Sequence, residues 1–176
     1  MPLRKSQMQV FSTIPINREN QQNKSRSAVI FWYSLSLAFA ITYIVIGMQQ
    51  GFSSKYVVSD DAREYLPWVY RYFNKNLFPN DSIADYFQSV TPIGYSLIYK
   101  ITTFLGIDPI LFSKILPIVL GIITTSYCFA VCMQILAVPM TGFMASLLLN
   151  QSLGLHDDLF SATPRDFIYP VFLAFI

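Results

Sequence analysis

The stretch Ala28-Val-Ile-Phe-Trp-Tyr-Ser-Leu-Ser-Leu-Ala-Phe-Ala-Ile-Thr-Tyr-Ile-Val-Ile-Gly-Met48 decides the fold class of this chain. It is 21 residues long and contains no Asp, Glu, Lys, Arg or His. As an α-helix it would be roughly 31 Å long, which matches the hydrocarbon core of a bilayer. The run therefore predicts a first membrane-spanning helix over residues 28–48.

The residues before this run are basic. Residues 1–27 contain five Lys or Arg and one Glu, a formal charge of +4. The positive-inside rule predicts that this tail is cytoplasmic and that the first helix runs outward. A cleaved signal peptide is the alternative, because Ala38-Phe-Ala40 has the form of a cleavage site. The apolar residues continue past it to Ile46, which favours an uncleaved anchor.

The composition indicates a membrane protein. Hydrophobic residues make up 53% of the chain and charged residues 12%, whereas a soluble domain carries about 25% charge. We therefore expect an all-α, multi-pass protein with the lipid bilayer as its main partner. The sequence contains no Walker loop, no dinucleotide-binding glycine motif and no basic stripe, so a nucleic-acid partner is not expected.

The second half of the chain contains further apolar runs. Ile115–Leu155 has no charged residue and would be about 60 Å long as one helix, so it must fold back. Pro139 and Gly142 are the expected turn, which predicts spans over residues 111–136 and 139–155. A fourth apolar run, Phe167 to Ile176, has ten residues, whereas about 20 residues are needed to cross a bilayer. The membrane domain, residues 28–176, is thus expected to be a fragment that is inactive alone.

Residues 49–110 form the expected outer loop, with short helices near the membrane. Asp61-x-x-Glu64 resembles a capping box that opens a helix, and Pro67 is expected to end it or start the next one. The stretch 78–82 has the composition of a turn. Residues 92–106 predict an amphipathic helix in the interface, with Lys100 extending toward the headgroups. A tilted span is the alternative, and it would reverse every later orientation.

Two groups of ionisable side chains would lie on the outer face. Asp60 and Asp61 follow the first crossing, and His156, Asp157 and Asp158 follow the third. Carboxylates and a histidine from separate loops can bind a hard divalent cation or act as a general base. The same acids could instead cap a helix or simply be solvated.

Other polar and aromatic residues in these loops also allow two interpretations. Arg165 stands just before the fourth apolar run, where it could bind a lipid phosphate or serve as an interfacial anchor. The outer loop is rich in aromatic residues, which fit either a membrane-interface belt or contacts with a sugar or lipid tail. The residues concerned are Trp68, Tyr70, Tyr72, Phe73 and Tyr86.

The order of these features resembles the GT-C superfamily of integral-membrane glycosyltransferases, particularly its protein O-mannosyltransferase and aminoarabinose transferase branches. Ser59-Asp-Asp-Ala-Arg-Glu-Tyr65 is similar to the acidic pair that opens the family's long outer loop. Thr91-Pro-Ile-Gly-Tyr95, followed by Phe104-Leu-Gly106, is similar to the family's stretch before a juxtamembrane helix. Asp157-Asp158 fall in the family's second outer loop.

The resemblance implies transfer of a sugar from a polyprenyl-phosphate donor to an acceptor on the outer face. Asp60 or Asp61 would be the general base or a cation ligand, and Asp61 is favoured because Asp60 is the more natural helix cap. Asp157 or Asp158 would support the site from the second loop. The alternative is a non-enzymatic membrane protein, such as a transporter fragment or an assembly factor. A transporter should place ionisable groups within its spans, and only Lys100 is a candidate for that position.

Overall fold

The computed structural model describes the backbone of residues 5–56, 58, 60–155 and 161–176, and the side chains of most residues from Ser25 onward. All regular structure in this part of the chain is helical, which confirms the predicted all-α class. The α-helices, in chain order, are α1 (Lys5–Phe52), α2 (Asp60–Val69), α3 (Ser82–Val90), α4 (Ile93–Phe104), α5 (Pro109–Leu136), α6 (Pro139–Leu155) and α7 (Ile168–Phe175). Short 3₁₀ turns follow α2, at Tyr70–Tyr72, and precede α7, at Pro164–Phe167.

Among the described residues, two helices are long and apolar enough to cross a membrane. They are the Ser25–Gln49 part of α1 and the whole of α5, Pro109–Leu136. Helix α1 also continues back into the basic region as far as Lys5. Helix α6 has 17 residues, or about 26 Å, near the lower limit for a membrane span.

The turn between α5 and α6 differs in detail from the prediction. The chain reverses at Ala137, which adopts a left-handed conformation with φ of 48° and ends α5. Pro139 is the first residue of α6, where its missing N–H costs nothing. Gly142 lies inside α6, so its assignment to the turn was wrong. A Cβ at Gly142 would lie 2.9 Å from Cδ2 of Phe129, so the glycine permits close packing of α6 on α5.

Helices α1, α5 and α6 pack against one another and bury polar as well as apolar side chains between them. The hydroxyl of Tyr33 on α1 lies 2.8 Å from Oγ of Ser126 on α5. The amide of Asn150 on α6 donates to Oγ1 of Thr125 on α5 at 3.0 Å. The outer face of α5 carries an exposed apolar stripe with a spacing of four residues: Leu111, Ile115, Val119, Ile123 and Tyr127.

Helices α2, α3 and α4 form a layer that packs on one end of this bundle. Its core includes Leu66, Trp68, Val69, Tyr95 and Tyr99, packed with Leu116 and Leu120 of α5. We call this the loop layer, residues 60–108. Ala162 and Phe167, which precede α7, pack against this core.

Helix α4 lies where the sequence predicts an interfacial helix. Tyr95 and Tyr99 face the core, and the opposite face exposes Ile93, Leu97, Ile101 and Phe104. Its 12 residues reach about 18 Å, which is too short to cross a bilayer. The geometry therefore favours the interfacial helix over the tilted span.

The ends of the helices in the loop layer agree only in part with prediction. Pro67 lies inside α2, which continues to Val69, so the expectation that Pro67 ends or starts a helix was wrong. Burial of Trp68 and Val69 offsets the hydrogen bond that proline cannot make. The predicted turn at 78–82 is present, and Asp81 caps α3 by accepting from the N–H groups of Ile83 and Ala84.

Candidate functional site

The acidic pair lies at the beginning of α2, as its first two residues, Asp60 and Asp61. Carboxylates are stabilised there by the free N–H groups and the helix dipole. The opposite face of α2 packs into the core through Ala62, Leu66 and Val69. This packing leaves the side chain of Asp61 56% exposed at the surface of the loop layer. The side chain of Asp60 lies outside the described residues.

The segment that precedes α7 is organised around a buried carboxylate, that of Asp166. One oxygen of Asp166 accepts from the hydroxyls of Ser161, at 3.0 Å, and Thr163, at 3.1 Å. The other oxygen accepts from the backbone N–H of Thr163 at 3.2 Å. The bond from the N–H of Thr163 is part of a capping box for the 3₁₀ turn, so Asp166 links several groups of residues 161–166.

Asp166 has an unusual protonation equilibrium because its side chain is fully buried. Burial raises the pKa of Asp166 from 3.8 to about 6, although the hydrogen bonds from Ser161 and Thr163 favour the charged form. The desolvation cost therefore exceeds the stabilisation from these bonds. The carboxyl changes its charge in a mildly acidic range.

The loop layer holds this segment through a second contact. The hydroxyl of Tyr95, on α4, donates to the carbonyl oxygen of Ala162 at 2.9 Å. Ala162 has φ of 54°, a left-handed conformation that an alanine adopts at an energetic cost. Tyr95 is itself buried against Tyr99 and Phe167, so residues 161–166 are fixed relative to α4.

These anchors bring Asp61 and Arg165 together. Nη2 of Arg165 lies 3.6 Å from Oδ2 of Asp61, and both side chains are more than half exposed. An exposed ion pair of this kind contributes about 0–1 kcal/mol, so the fold, rather than the pair, sets their proximity. The result is a solvent-accessible carboxylate beside a guanidinium. The first group can accept a proton and the second can bind a phosphate.

The predicted site residues are thus only partly located. Asp61 and Arg165 come from separate loops and meet at one face. His156, Asp157 and Asp158 lie outside the described residues, so their convergence with Asp61 stays a prediction. Among the residues that the structure describes, no three His, Cys, Asp or Glu side chains group as metal ligands. A divalent cation at the acidic pair also stays a prediction.

The aromatic residues of the loop layer divide into two groups. Trp68 is 1% exposed, so it belongs to the core and cannot stack on a sugar at the surface. The rings of Trp68 and Tyr72 form an edge-to-face pair, with their centroids 5.7 Å apart. Tyr72, Phe73 and Tyr86 are exposed, which leaves these three compatible with either contact to lipid or contact to a ligand.

Another charged cluster in the loop layer connects α3 to the turn before it. Arg71 donates to Asp85 at 2.6 Å, to Gln88 at 2.8 Å and to the carbonyl of Phe78 at 2.8 Å. These three bonds satisfy most of the planar guanidinium. We therefore assign Arg71 and Asp85 to the structure of the loop layer.

Sequence reasoning missed two residues near the site, Asp166 and Tyr95. The signal for Asp166 was Thr163-Pro-Arg-Asp166, which matches a capping box but was interpreted only through its arginine. Nothing local in the sequence marks Tyr95 as the partner of Ala162. Comparisons with known proteins found no matching family model, curated protein or solved structure. The described side chains and the sequence pattern must therefore carry any functional assignment.

Proposed function

We propose that this chain forms part of a multi-pass membrane glycosyltransferase, similar to the GT-C superfamily, that transfers a sugar from a polyprenyl-phosphate donor to an acceptor at the outer membrane surface. The observation that carries the proposal is the exposed pair of Asp61 and Arg165 at one end of the bundle. It supplies one proton acceptor and one phosphate-binding group where a lipid-linked donor and an acceptor could meet.

The membrane location is supported by the arrangement of polar and apolar side chains in the bundle. Ser36, Thr124, Thr125, Ser146 and Asn150 are buried between the helices, while the outer faces of α1 and α5 expose large apolar residues. Small and polar residues at helix contacts, with apolar residues outside, are typical of helices packed in lipid. In water the same surface would be a very large exposed apolar patch.

A topology with three crossings is supported by the contact between the loop after α1 and the loop after α6. Asp61 follows α1 and Arg165 follows α6, so their contact places both loops at the same end of the bundle. Crossings by α1, α5 and α6 from a cytoplasmic N-terminus would put that end outside. The basic residues before Ser25 favour this orientation.

The proposed reaction uses the two side chains in different roles. Asp61 accepts the proton of the acceptor hydroxyl while the oxygen of that hydroxyl bonds to the anomeric carbon of the sugar. The bond between that carbon and the phosphate oxygen breaks, and the electron pair leaves with the polyprenyl phosphate. Arg165 binds the phosphate and stabilises its increased negative charge. Asp60 and Asp61 remain the candidates for binding a divalent cation.

A non-enzymatic membrane protein is the second candidate. The same ion pair favours it in one respect, because Asp61 and Arg165 could simply join two loops. A transporter is less well supported, since residues 115–155 include no Asp, Glu, Lys, Arg or His near the middle of a membrane. An assembly factor would need the loop layer as a binding surface rather than as a catalytic one.

Substitution of Asp61 by Asn separates these candidates. Asn preserves the shape of the side chain and caps a helix about as well as Asp, but it cannot act as a general base. Transfer of mannose or aminoarabinose from polyprenyl phosphate should fall by about 10²–10⁴-fold. The measurement is the initial rate in membranes that contain equal amounts of each variant.

The matched control is Asp85→Asn, which also removes an exposed, ion-paired carboxylate from the loop layer. This control should retain nearly full transfer activity. If Asp61→Asn transfers sugar as fast as Asp85→Asn, the catalytic role of Asp61 is wrong. All rates are measured with the substitutions placed in the full-length context, because residues 28–176 are expected to be inactive alone. Absence of transfer there with either donor would favour the non-enzymatic alternative.

A further inference from the structure

An apolar groove lies between α1 and α5, close to the end of the bundle that carries the loop layer. Its volume is about 340 Å³, and its apolar lining comprises Ile44, Val45, Met48, Phe52 and Ile118. Ile44 and Met48 are buried, while Val45 and Phe52 are exposed, so the groove opens to the surroundings of the bundle. Its size lies within the range of about 300–1,000 Å³ that is usual for small-molecule sites.

The position of the groove indicates the kind of molecule that can enter it. Most of its lining belongs to the Ser25–Gln49 run, which is apolar enough to cross a membrane. In the proposed orientation, the groove faces the hydrocarbon near the outer leaflet. The lipid around the bundle supplies hydrocarbon chains, and an apolar lining can accept one.

A buried lysine lies at the end of the groove. Lys114 is four residues before Ile118 on α5, and its ammonium lies 5.8 Å from the ring centroid of Phe52. Nζ of Lys114 donates to the carbonyl oxygens of Ser54, at 2.7 Å, and Lys55, at 3.2 Å. The ion pairs among the described residues do not include Lys114.

This arrangement leaves a positive charge beside an apolar groove. An ammonium has three N–H donors, and two are used by carbonyl oxygens, which do not neutralise its charge. Lys55, whose carbonyl accepts from Lys114, carries a second positive charge on an exposed side chain, and its ammonium lies 5.5 Å from the ring centroid of Tyr56. A phosphate at this position would complement both charges, as lysines near a membrane surface do for anionic lipids.

We propose that this groove binds one acyl chain of an anionic phospholipid, with its headgroup phosphate beside Lys114 and Lys55. The inference rests on the membrane location in the proposed function but requires no sugar transfer. A bound phospholipid would fill the space between α1 and α5 and join the turn after α1 to the start of α5.

Photoactivatable lipids in nanodiscs test this assignment. The probes are phosphatidylglycerol and phosphatidylcholine with the same diazirine-labelled acyl chain, and the labelled peptides are identified by mass spectrometry. We expect labelling of Val45, Met48 or Ile118, with phosphatidylglycerol favoured by about fivefold for each interacting lysine. Lys55→Gln should reduce this preference, whereas free inorganic phosphate should not reduce the labelling.

Two tryptophan substitutions provide the matched comparison. Val45→Trp should fill the groove and reduce its labelling at least about fivefold. Ile46→Trp places the same side chain at a neighbouring exposed position outside the groove lining and should leave labelling unchanged. Both residues are exposed, so both variants should fold, which gel filtration checks.

Three results would overturn the assignment. In the first, Val45→Trp leaves the labelling of the groove unchanged. In the second, the two phospholipids label the groove equally. In the third, a small molar fraction of polyprenyl phosphate displaces phosphatidylglycerol. The last result would make the groove a site for the donor lipid. Loss of transfer in Asp61→Asn should leave lipid labelling intact, so failure of either proposal can be recognised separately.

Discussion

The buried carboxyl of Asp166 should make the stability of the protein depend on pH in an unusual direction. Its pKa rises from 3.8 to about 6 on folding because its side chain is buried. The folded protein therefore holds this proton more tightly than the unfolded chain. Stability from this group is fully present below about pH 4 and is lost as the pH rises through about 6.

The magnitude follows from the two pKa values. The rise from 3.8 to about 6 corresponds to about 3 kcal/mol over the whole titration, of which about 2–2.5 kcal/mol is lost between pH 4 and pH 7. Other groups also titrate in this range, so the prediction concerns a difference between two proteins. Asp166→Asn preserves the size of the side chain and removes its titration.

The assay is reversible unfolding of both proteins in mixed micelles at several pH values from 4 to 7. The unfolding free energy of the unaltered protein should fall, relative to that of Asp166→Asn, by about 2–2.5 kcal/mol across this range. A constant loss of stability in Asp166→Asn is expected as well, because the amide nitrogen cannot accept from the N–H of Thr163. A difference that stays constant with pH would refute the reasoning.

Three further predictions concern the packing of α6 on its neighbours α1 and α5. Gly142→Ala should destabilise the protein by about 1–3 kcal/mol, because its Cβ would lie 2.9 Å from Phe129. Gly154→Ala should be neutral or stabilising, since its nearest neighbour would be at 3.5 Å, and unfolding in mixed micelles compares the two. Asn150→Leu should cost about 1 kcal/mol in the same assay through loss of its hydrogen bond to Thr125, and an unchanged unfolding free energy would contradict that assignment.

The sequence predicts the helices well because their determinants are local. Apolar runs and their flanking prolines placed α5 and α6 within two residues of their observed ends. Gly142 was misassigned because glycine favours both turns and close helix contacts, and only the position of Phe129 distinguishes the two. The continuation of α2 past Pro67 likewise depends on burial against other helices.

The site was less predictable because its determinants are distant in the chain. Asp61 and Arg165 were each recognised as candidates, but their contact depends on how α1 and α6 pack. Asp166 was overlooked because an acid next to an arginine before an apolar run is usually solvated. Its burial requires Tyr95 and the turn at Ala162, and neither is indicated by local sequence.

The central claim is that the loops after α1 and α6 meet at the outer surface of a membrane. The most direct measurement uses Asp61→Cys and Arg165→Cys, singly and together, in a background that carries Cys128→Ser and Cys132→Ser. A membrane-impermeant maleimide added to intact cells should label both single variants, and a short bifunctional thiol reagent should link the pair within the double variant. Labelling of one position only after the membrane is opened, or failure of the pair to link, would contradict the account.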